Sequence, residues 1–230
     1  TKFKPDYLVH SFRTPSFDCR ERFKELGNDV YFANVFSDEF CEHILGRVTD
    51  FERECKTDAP ETANSMHWNA IPSKQLGIEP LVQSFVELFY REISHHFLPE
   101  RLRIPIDTVH SYIVQYSNSS DRDLGFHVDD SLLTLNICLN DGFTGSELVF
   151  EGERCPIHVD TSSSPGEQIT IEHKKGSMVV HPGKNRHYVN NISRGERYNL
   201  IIWCQSEIER NRWFDALKTG ECLKFCGMNS

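Results

Sequence analysis

His127-Val128-Asp129, followed by His187 and then Arg197, places two imidazoles, a carboxylate and a permanent cation in an order that could build one reactive site. Two histidines and one carboxylate are the facial triad that holds non-haem Fe(II) and leaves positions open. On a strand, His127 and Asp129 project from the same face, because side chains alternate with period two. An H-x-D pair alone is common by chance. The later His187, with Arg197 ten residues beyond it, makes the set specific. Iron in such a site needs an electron-donating co-substrate, and a guanidinium is well suited to grip a carboxylate of one. Arg197 shares a strand face with Asn199, Ile201 and Trp203. If that face points inward, an unpaired charge there is very costly, so an anion is expected, and the far carboxylate of a dicarboxylic keto acid fits. Taken singly, each residue has a plainer reading: a satisfied histidine, or an arginine closing the Arg194-Gly195-Glu196 turn. His181, in Val-Val-His-Pro-Gly, is the rival to His187. His110 and His173 read as surface or packing residues.

These residues need a scaffold of strands. From Thr108 the chain breaks into short runs rich in β-branched and aromatic residues, separated by Gly, Asn, Ser and Asp turns. The expected strands are Val109–Tyr116, Leu132–Leu139, Glu147–Phe150, Cys155–Val159, Gln168–Glu172, Ser177–His181, His187–Asn191 and Arg197–Cys204. His127 and Asp129 would start the loop leaving the first of these, and His187 would lie near the other end of the same roll. Upstream, Asp29–Phe36 reads as a strand, and Ser37 as the N-cap of a helix whose apolar stripe is Phe40, Cys41, Ile44, Leu45, Val48 and Phe51. A second helix is expected over Glu79–His96, with Leu81, Phe85, Leu88, Phe89 and Ile93 on its buried side. His95 and His96 at its end suit the helix dipole better than a metal. The fold class is therefore mainly β with flanking helices, a double-sheet jelly roll with helices on one side. Residues 1–28 read as an extended lead-in, 29–206 as the domain (helical support 37–98, jelly-roll core 108–206) and 207–230 as a C-terminal helix and tail. Residues 57–76 show no period and read as a long loop, equally an ordinary surface loop or a lid carrying Asn64, Met66, His67, Trp68 and Asn69.

The 230-residue chain has ordinary hydrophobic and charged content for one soluble domain. A formal charge of −9 argues against a large phosphate-binding surface. No apolar run is long enough to span a bilayer and no signal peptide is visible. The chain opens at Thr1 rather than Met, which leaves the native terminus open. Cys138 and Cys204 fall in apolar runs and read as small buried hydrophobes. Cys222-Leu-Lys-Phe-Cys226 supplies two of the four ligands a zinc site wants, and reads as free or loosely paired thiols. The sequons at Asn118 and Asn191 matter only in a secretory compartment.

Longer strings carry a resemblance. His127-Val-Asp-Asp-Ser-Leu-Leu-Thr-Leu-Asn-Ile-Cys-Leu-Asn140, Phe143-Thr-Gly-Ser-Glu-Leu-Val-Phe150 and His181-Pro-Gly…His187…Gly195-Glu-Arg-Tyr-Asn-Leu200 resemble the Fe(II)- and 2-oxoglutarate-dependent dioxygenases of the prolyl and lysyl hydroxylase branch. Ser120–Gly125 and Glu196–Trp203 look closest to the 2-oxoglutarate and iron-dependent oxygenase domain-containing proteins. The resemblance covers roughly residues 30–206. It implies a double-stranded β-helix (jelly roll, cupin-like), with His127, Asp129 and His187 on Fe(II) and Arg197 on the C5 carboxylate of 2-oxoglutarate. It carries Tyr116 and Thr134 over as further co-substrate contacts, though strand Tyr and Thr residues more often simply pack. It further implies O2 as oxidant, ascorbate as reductant, and release of succinate and CO2 on hydroxylation of a C–H bond. The chain departs from the branch at Ser146, where a second Gly is usual, and at His181, where an aromatic is common.

The expected activity is hydroxylation of a prolyl or lysyl side chain of a protein or peptide. A small-molecule hydroxylase is the rival. A nucleic-acid demethylase is disfavoured by the acidic balance, so no nucleic-acid partner is expected. A catalytically dead binding module has no physical reason to keep the triad and Arg197.

Overall fold

In the computed structural model, residues 2–9, 12, 22–54 and 70–229 are described. The proposed lid residues Asn64, Met66, His67, Trp68 and Asn69 lie outside them. Among the described residues, thirteen strands and three α-helices follow in the order β1 (Lys24–Gly27), β2 (Val30–Asn34), α1 (Asp38–Glu54), β3 (Ile71–Pro72), α2 (Glu79–Leu88), β4 (Thr108–Ser117), β5 (Leu124–His127), β6 (Leu133–Cys138), β7 (Thr144–Gly145), β8 (Leu148–Glu153), β9 (Gln168–Ile171), β10 (Ser177–Pro182), β11 (Asn185–Val189), β12 (Ile192–Arg194), β13 (Glu196–Gln205) and α3 (Glu207–Thr219). The major sheet has the order β1-β2-β10-β6-β13-β4-β3, the minor sheet β5-β11-β8-β9, and β7 pairs with β12. Every strand pairing is antiparallel. This is the expected jelly roll.

Alternation along the central strands decides the layering. Leu133, Leu135 and Ile137 of β6, Met178 and Val180 of β10, and Leu200 and Ile202 of β13 pack in one cluster with Phe40, Ile44, Leu81, Phe85 and Phe89 of the helical layer. The intervening residues face the minor sheet. There Tyr112, Val114 and Tyr116 of β4, Val179 and Ile201 meet Leu148, Phe150 and Val189. The major sheet is thus buried on both faces, and its inner face can carry polar residues only where they find partners.

Helix α1 starts as its sequence demands, with the Phe40 N–H donating to Ser37 Oγ at 3.4 Å. The second helix is shorter than expected: after α2 the chain loosens into a π-turn at Phe89–Ile93 and tightens into a 3-10 turn at Ser94–His96. The lead-in is less independent than its composition suggests. Tyr7, Leu8 and Phe23 are buried in the helical core, and β1 pairs with β2. Cys155–Val159 is a turn rather than a strand. Pro156 lacks an N–H to donate to a ladder, and the Cys155 and His158 side chains are engaged elsewhere.

The turn is braced by Arg154, whose guanidinium pairs with Glu167 at 2.6 and 2.8 Å. The Arg154 hydrogen bond holds Glu167 down to about 2. The folded-state value lies below the unfolded one of about 4.3. The pair's stabilisation is therefore present above that unfolded value and is lost as pH falls toward about 2. Glu167→Gln is expected to lower the urea midpoint at neutral pH. The difference from the parent should shrink steadily on acidification and vanish near the low end of that window. A gap that stays constant with pH would refute the pairing.

Candidate metal and co-substrate site

His127 closes β5, a short strand that the sequence reading left inside a loop, and His187 lies directly across from it on β11. The ring centroids are 4.1 Å apart. Asp129 follows in the loop leading to β6. Its side chain comes between the imidazoles: Asp129 Oδ1 is 3.5 Å from His127 Nε2 and 3.8 Å from His187 Nε2. One ligand atom from each of the three residues lies within 4.8 Å of the others.

The hydrogen-bond pattern sets the tautomers. His127 Nδ1 faces the Gly125 carbonyl at 2.7 Å, and His187 Nδ1 faces the Asn185 carbonyl at 2.9 Å. A carbonyl can only accept, so each Nδ1 carries the proton. Each Nε2 then offers a lone pair to the shared space, the arrangement that metal-ligating histidines require. Burial, followed by the neighbouring His127, pushes His187 down to about 3, so its imidazole is neutral.

Asp129 is held from three sides. Thr134 Oγ1 donates to Oδ2 at 2.6 Å, Lys184 Nζ donates to the backbone oxygen at 2.7 Å, and the Asp129 N–H donates to the Gly183 carbonyl at 2.8 Å. Gly183 permits this approach: a Cβ there would stand 2.1 Å from the Ser131 carbonyl oxygen. Thr134 lines the cavity, but its single donor is spent on Asp129. That bond can orient the Asp129 carboxylate.

The rival imidazole, His181, does face inward. It is fully buried, its ring packs edge-on against Phe150 and His187, and its Nε2 is 3.9 Å from Asp129 Oδ2. Nδ1 bonds the Pro182 carbonyl, while Nε2 has no partner among the described residues. His181 thus stands beside the cluster, and occupies the aromatic position of the branch by packing as one.

Arg197 is fully buried on β13 opposite Tyr116. Its guanidinium lies 5.5 Å from the centre of the Tyr116 ring and 5.8 Å from that of Phe143. Nε donates to Asn199 Oδ1 at 2.8 Å, and one terminal nitrogen donates to the Ser146 carbonyl and to Ser146 Oγ. The other meets His173 Nδ1 at 2.7 Å. His173 is therefore no surface residue. Burial first, then Arg197, pushes it well below its ordinary value, so it accepts as a neutral ring. Sequence reasoning missed it because it lies 24 residues away, outside any motif. Ser146 has φ of 62°, which explains why a Gly is usual there; its hydroxyl is a second acceptor for Arg197. Every one of these partners is neutral, and no described carboxylate pairs with Arg197.

Between the triad and Tyr116 lies a small cavity, lined also by Tyr112, Leu124, Thr134, Asn136, Leu148, His181, Val189 and Ile201. The donor set fits a hard-to-borderline divalent metal. The uncompensated Arg197 charge fits an anionic co-substrate.

A second cluster stands outside this cavity. Cys222 and Cys226, read from the sequence as isolated, are joined by Cys155 and His158. The missing pair lies more than sixty residues upstream, which spacing within the tail could not reveal.

No protein-family profile matches the chain. It is 34% identical over 211 residues to the 2-oxoglutarate and iron-dependent oxygenase domain-containing protein ICU11 of Arabidopsis thaliana, covering 90% of this chain and 53% of that protein. It is 26% identical over 185 residues to the procollagen-lysine,2-oxoglutarate 5-dioxygenase of Drosophila melanogaster, covering 75% of this chain and 24% of that one. The chain thus spans about half the length of the first relative and about a quarter of the second. A Pseudomonas putida prolyl-4-hydroxylase structure superposes with a TM-score of 0.57 at 13% identity, over 78% of this chain and 94% of that chain. At that identity the likeness speaks for the jelly roll alone.

Proposed function

Because the chain belongs to the Fe(II)- and 2-oxoglutarate-dependent dioxygenase superfamily, we propose that it catalyses hydroxylation of a C–H bond on a protein or peptide, at a prolyl or lysyl side chain. The observation that carries this reading is the convergence of His127, Asp129 and His187 on a cavity whose Tyr116 wall lies against a buried Arg197, which pairs with no described carboxylate. The procollagen-lysine relative favours a polypeptide substrate over a small molecule.

When bound, Fe(II) and 2-oxoglutarate supply the oxidation by O2, with the keto acid leaving as succinate and CO2. The chain's part is positional. His127, Asp129 and His187 would hold the metal through one set of neighbouring positions, leaving the rest open. Arg197 would hold the far carboxylate of 2-oxoglutarate, with the Tyr116 ring against the guanidinium. Leu124, Leu148, Val189 and Ile201 would keep water from the reacting carbon. Thr134 would orient Asp129 without touching the co-substrate.

Thr134→Val tests that last assignment, since it preserves shape and removes the donor. Metal affinity should fall about 10- to 100-fold, while the KM for 2-oxoglutarate at saturating metal should stay put. A raised KM with unchanged metal affinity would restore the direct contact. The substrate class is tested by incubation with Fe(II), 2-oxoglutarate, ascorbate and a library of proline- and lysine-bearing peptides. The expected result is succinate release coupled to gain of one oxygen atom by a peptide. Turnover on small molecules and on no peptide would overturn the substrate assignment.

A further inference from the structure

We propose that Cys155, His158, Cys222 and Cys226 form a structural zinc site that clamps the C-terminal tail onto the jelly roll. His158 Nδ1 is 3.3 Å from Cys155 Sγ, 3.4 Å from Cys222 Sγ and 3.4 Å from Cys226 Sγ. Cys155 Sγ and Cys222 Sγ are 3.7 Å apart. A tetrahedral ion with ordinary Zn–S and Zn–N bonds has sulfur–sulfur edges of about 3.8 Å and sulfur–nitrogen edges of about 3.6 Å. These four separations match tetrahedral edges, and all four ligand atoms lie within 4.8 Å of one another. The sulfur–sulfur separation is far beyond the roughly 2.05 Å of a disulfide.

The sequence also has the right form. Cys155-Pro-Ile-His158 and Cys222-Leu-Lys-Phe-Cys226 are two short-spaced ligand pairs. One sits in the turn after β8 and the other beyond α3. Four protein ligands close the shell, which marks a structural rather than a catalytic ion. Three thiolates select a soft or borderline metal, whereas the nitrogen and oxygen donors of the triad suit Fe(II). The two sites thus sort different metals by donor chemistry.

Full apolar burial is sparse in the tail. Phe214, Leu217 and Met228 are exposed, and Ala216 and Cys226 are the buried apolar residues among those described beyond Ser206. Yet the tail lies close enough that a Cβ at Gly227 would stand 2.6 Å from an Arg154 guanidinium nitrogen. Trp213 and Phe225 are half-buried against Lys184 and Arg101, and metal binding would add folding free energy directly to these contacts. The clamp acts on the end of β8, whose partner β11 carries His187 at the position opposite Phe150.

Metal analysis of the purified chain tests the site. About one zinc per chain is expected, and it should persist in Asp129→Ala, where the triad is broken. Cys222→Ser and Cys226→Ser should each bring zinc below about a tenth per chain and open the tail to limited proteolysis before the core. If those variants fail to fold, cobalt substitution of the parent chain answers the same question. Bound cobalt should show tetrahedral visible bands and intense thiolate-to-metal absorption in the near ultraviolet, which a site of two histidines and an aspartate does not give. Zinc that disappears with Asp129→Ala and survives Cys222→Ser would overturn the proposal. So would a zinc-free chain whose cysteines all react rapidly with a thiol reagent in the native state, or a disulfide found by mass spectrometry.

Discussion

Asp129→Ala is expected to lower succinate release from 2-oxoglutarate by on the order of a thousandfold or more, with the fold retained. The size follows from what Asp129 does. It is the one anion among the three proposed ligands, and its Oδ1 is the point on which the His127 and His187 Nε2 atoms converge. Removing it takes away the negative charge that favours a divalent ion and leaves two neutral imidazoles. The fold should survive for a specific reason. A buried carboxylate without its metal is a cost, so its loss relieves desolvation even as it orphans the Thr134 hydroxyl, which can turn to Ser131 at 2.9 Å. Asp129→Asn keeps the shape and the Thr134 contact, and should still lose most turnover because it loses the charge. Succinate release by Asp129→Ala within about tenfold of the parent would remove Asp129 from the metal set.

The jelly roll was legible because its main sheet is buried on both faces, so the strands announce themselves as apolar runs with polar residues at alternate inner positions. Thr134 and Asn136 between Leu133, Leu135 and Ile137 are an example. His127, Asp129, His187 and Arg197 stood out as candidates because each type has a narrow chemical use. What escaped the sequence shares one cause: it is closed by distant contacts. β5 is four residues long and exists because His127 pairs with His187. His173 belongs to the Arg197 network only through the sheet that brings β13 beside its loop. Cys155–Val159 has strand-like composition, yet Pro156 and the pull of Cys222 and Cys226 turn it. Each half of that four-residue cluster looks inert alone. Ser146 was visible as a departure from the usual Gly, but its purpose, a hydroxyl aimed at Arg197, needed the fold.

Arg197→Ala should raise the KM for 2-oxoglutarate by roughly a hundredfold, equivalent to ~3 kcal/mol, while leaving the metal requirement within a few-fold of the parent. The asymmetry is the test. Arg197 is two residue shells from the triad: it reaches Asn199, Ser146 and His173, and Asn199 in turn donates to Asn136 on the cavity wall at 2.5 Å. Nothing connects it to Asp129 or the imidazoles directly, so iron binding has no cause to suffer. Its buried charge, by contrast, lacks a described carboxylate partner, and an anionic co-substrate would supply one. The alanine variant also takes a buried donor away from Asn199 Oδ1, the Ser146 carbonyl and His173, which costs stability whatever the function. Arg197→Lys separates the two effects. Lysine keeps the cation and much of the stem but loses the planar fork. If Arg197 grips a carboxylate through that fork, the lysine variant should fold well, bind metal normally and still need about tenfold more 2-oxoglutarate, and a shorter keto acid lacking the second carboxylate should lose part of its disadvantage against 2-oxoglutarate. Should metal and co-substrate requirements rise together in both variants, Arg197 would be a structural cation satisfied by Ser146, Asn199 and His173, and the anion would have to be sought elsewhere in the cavity.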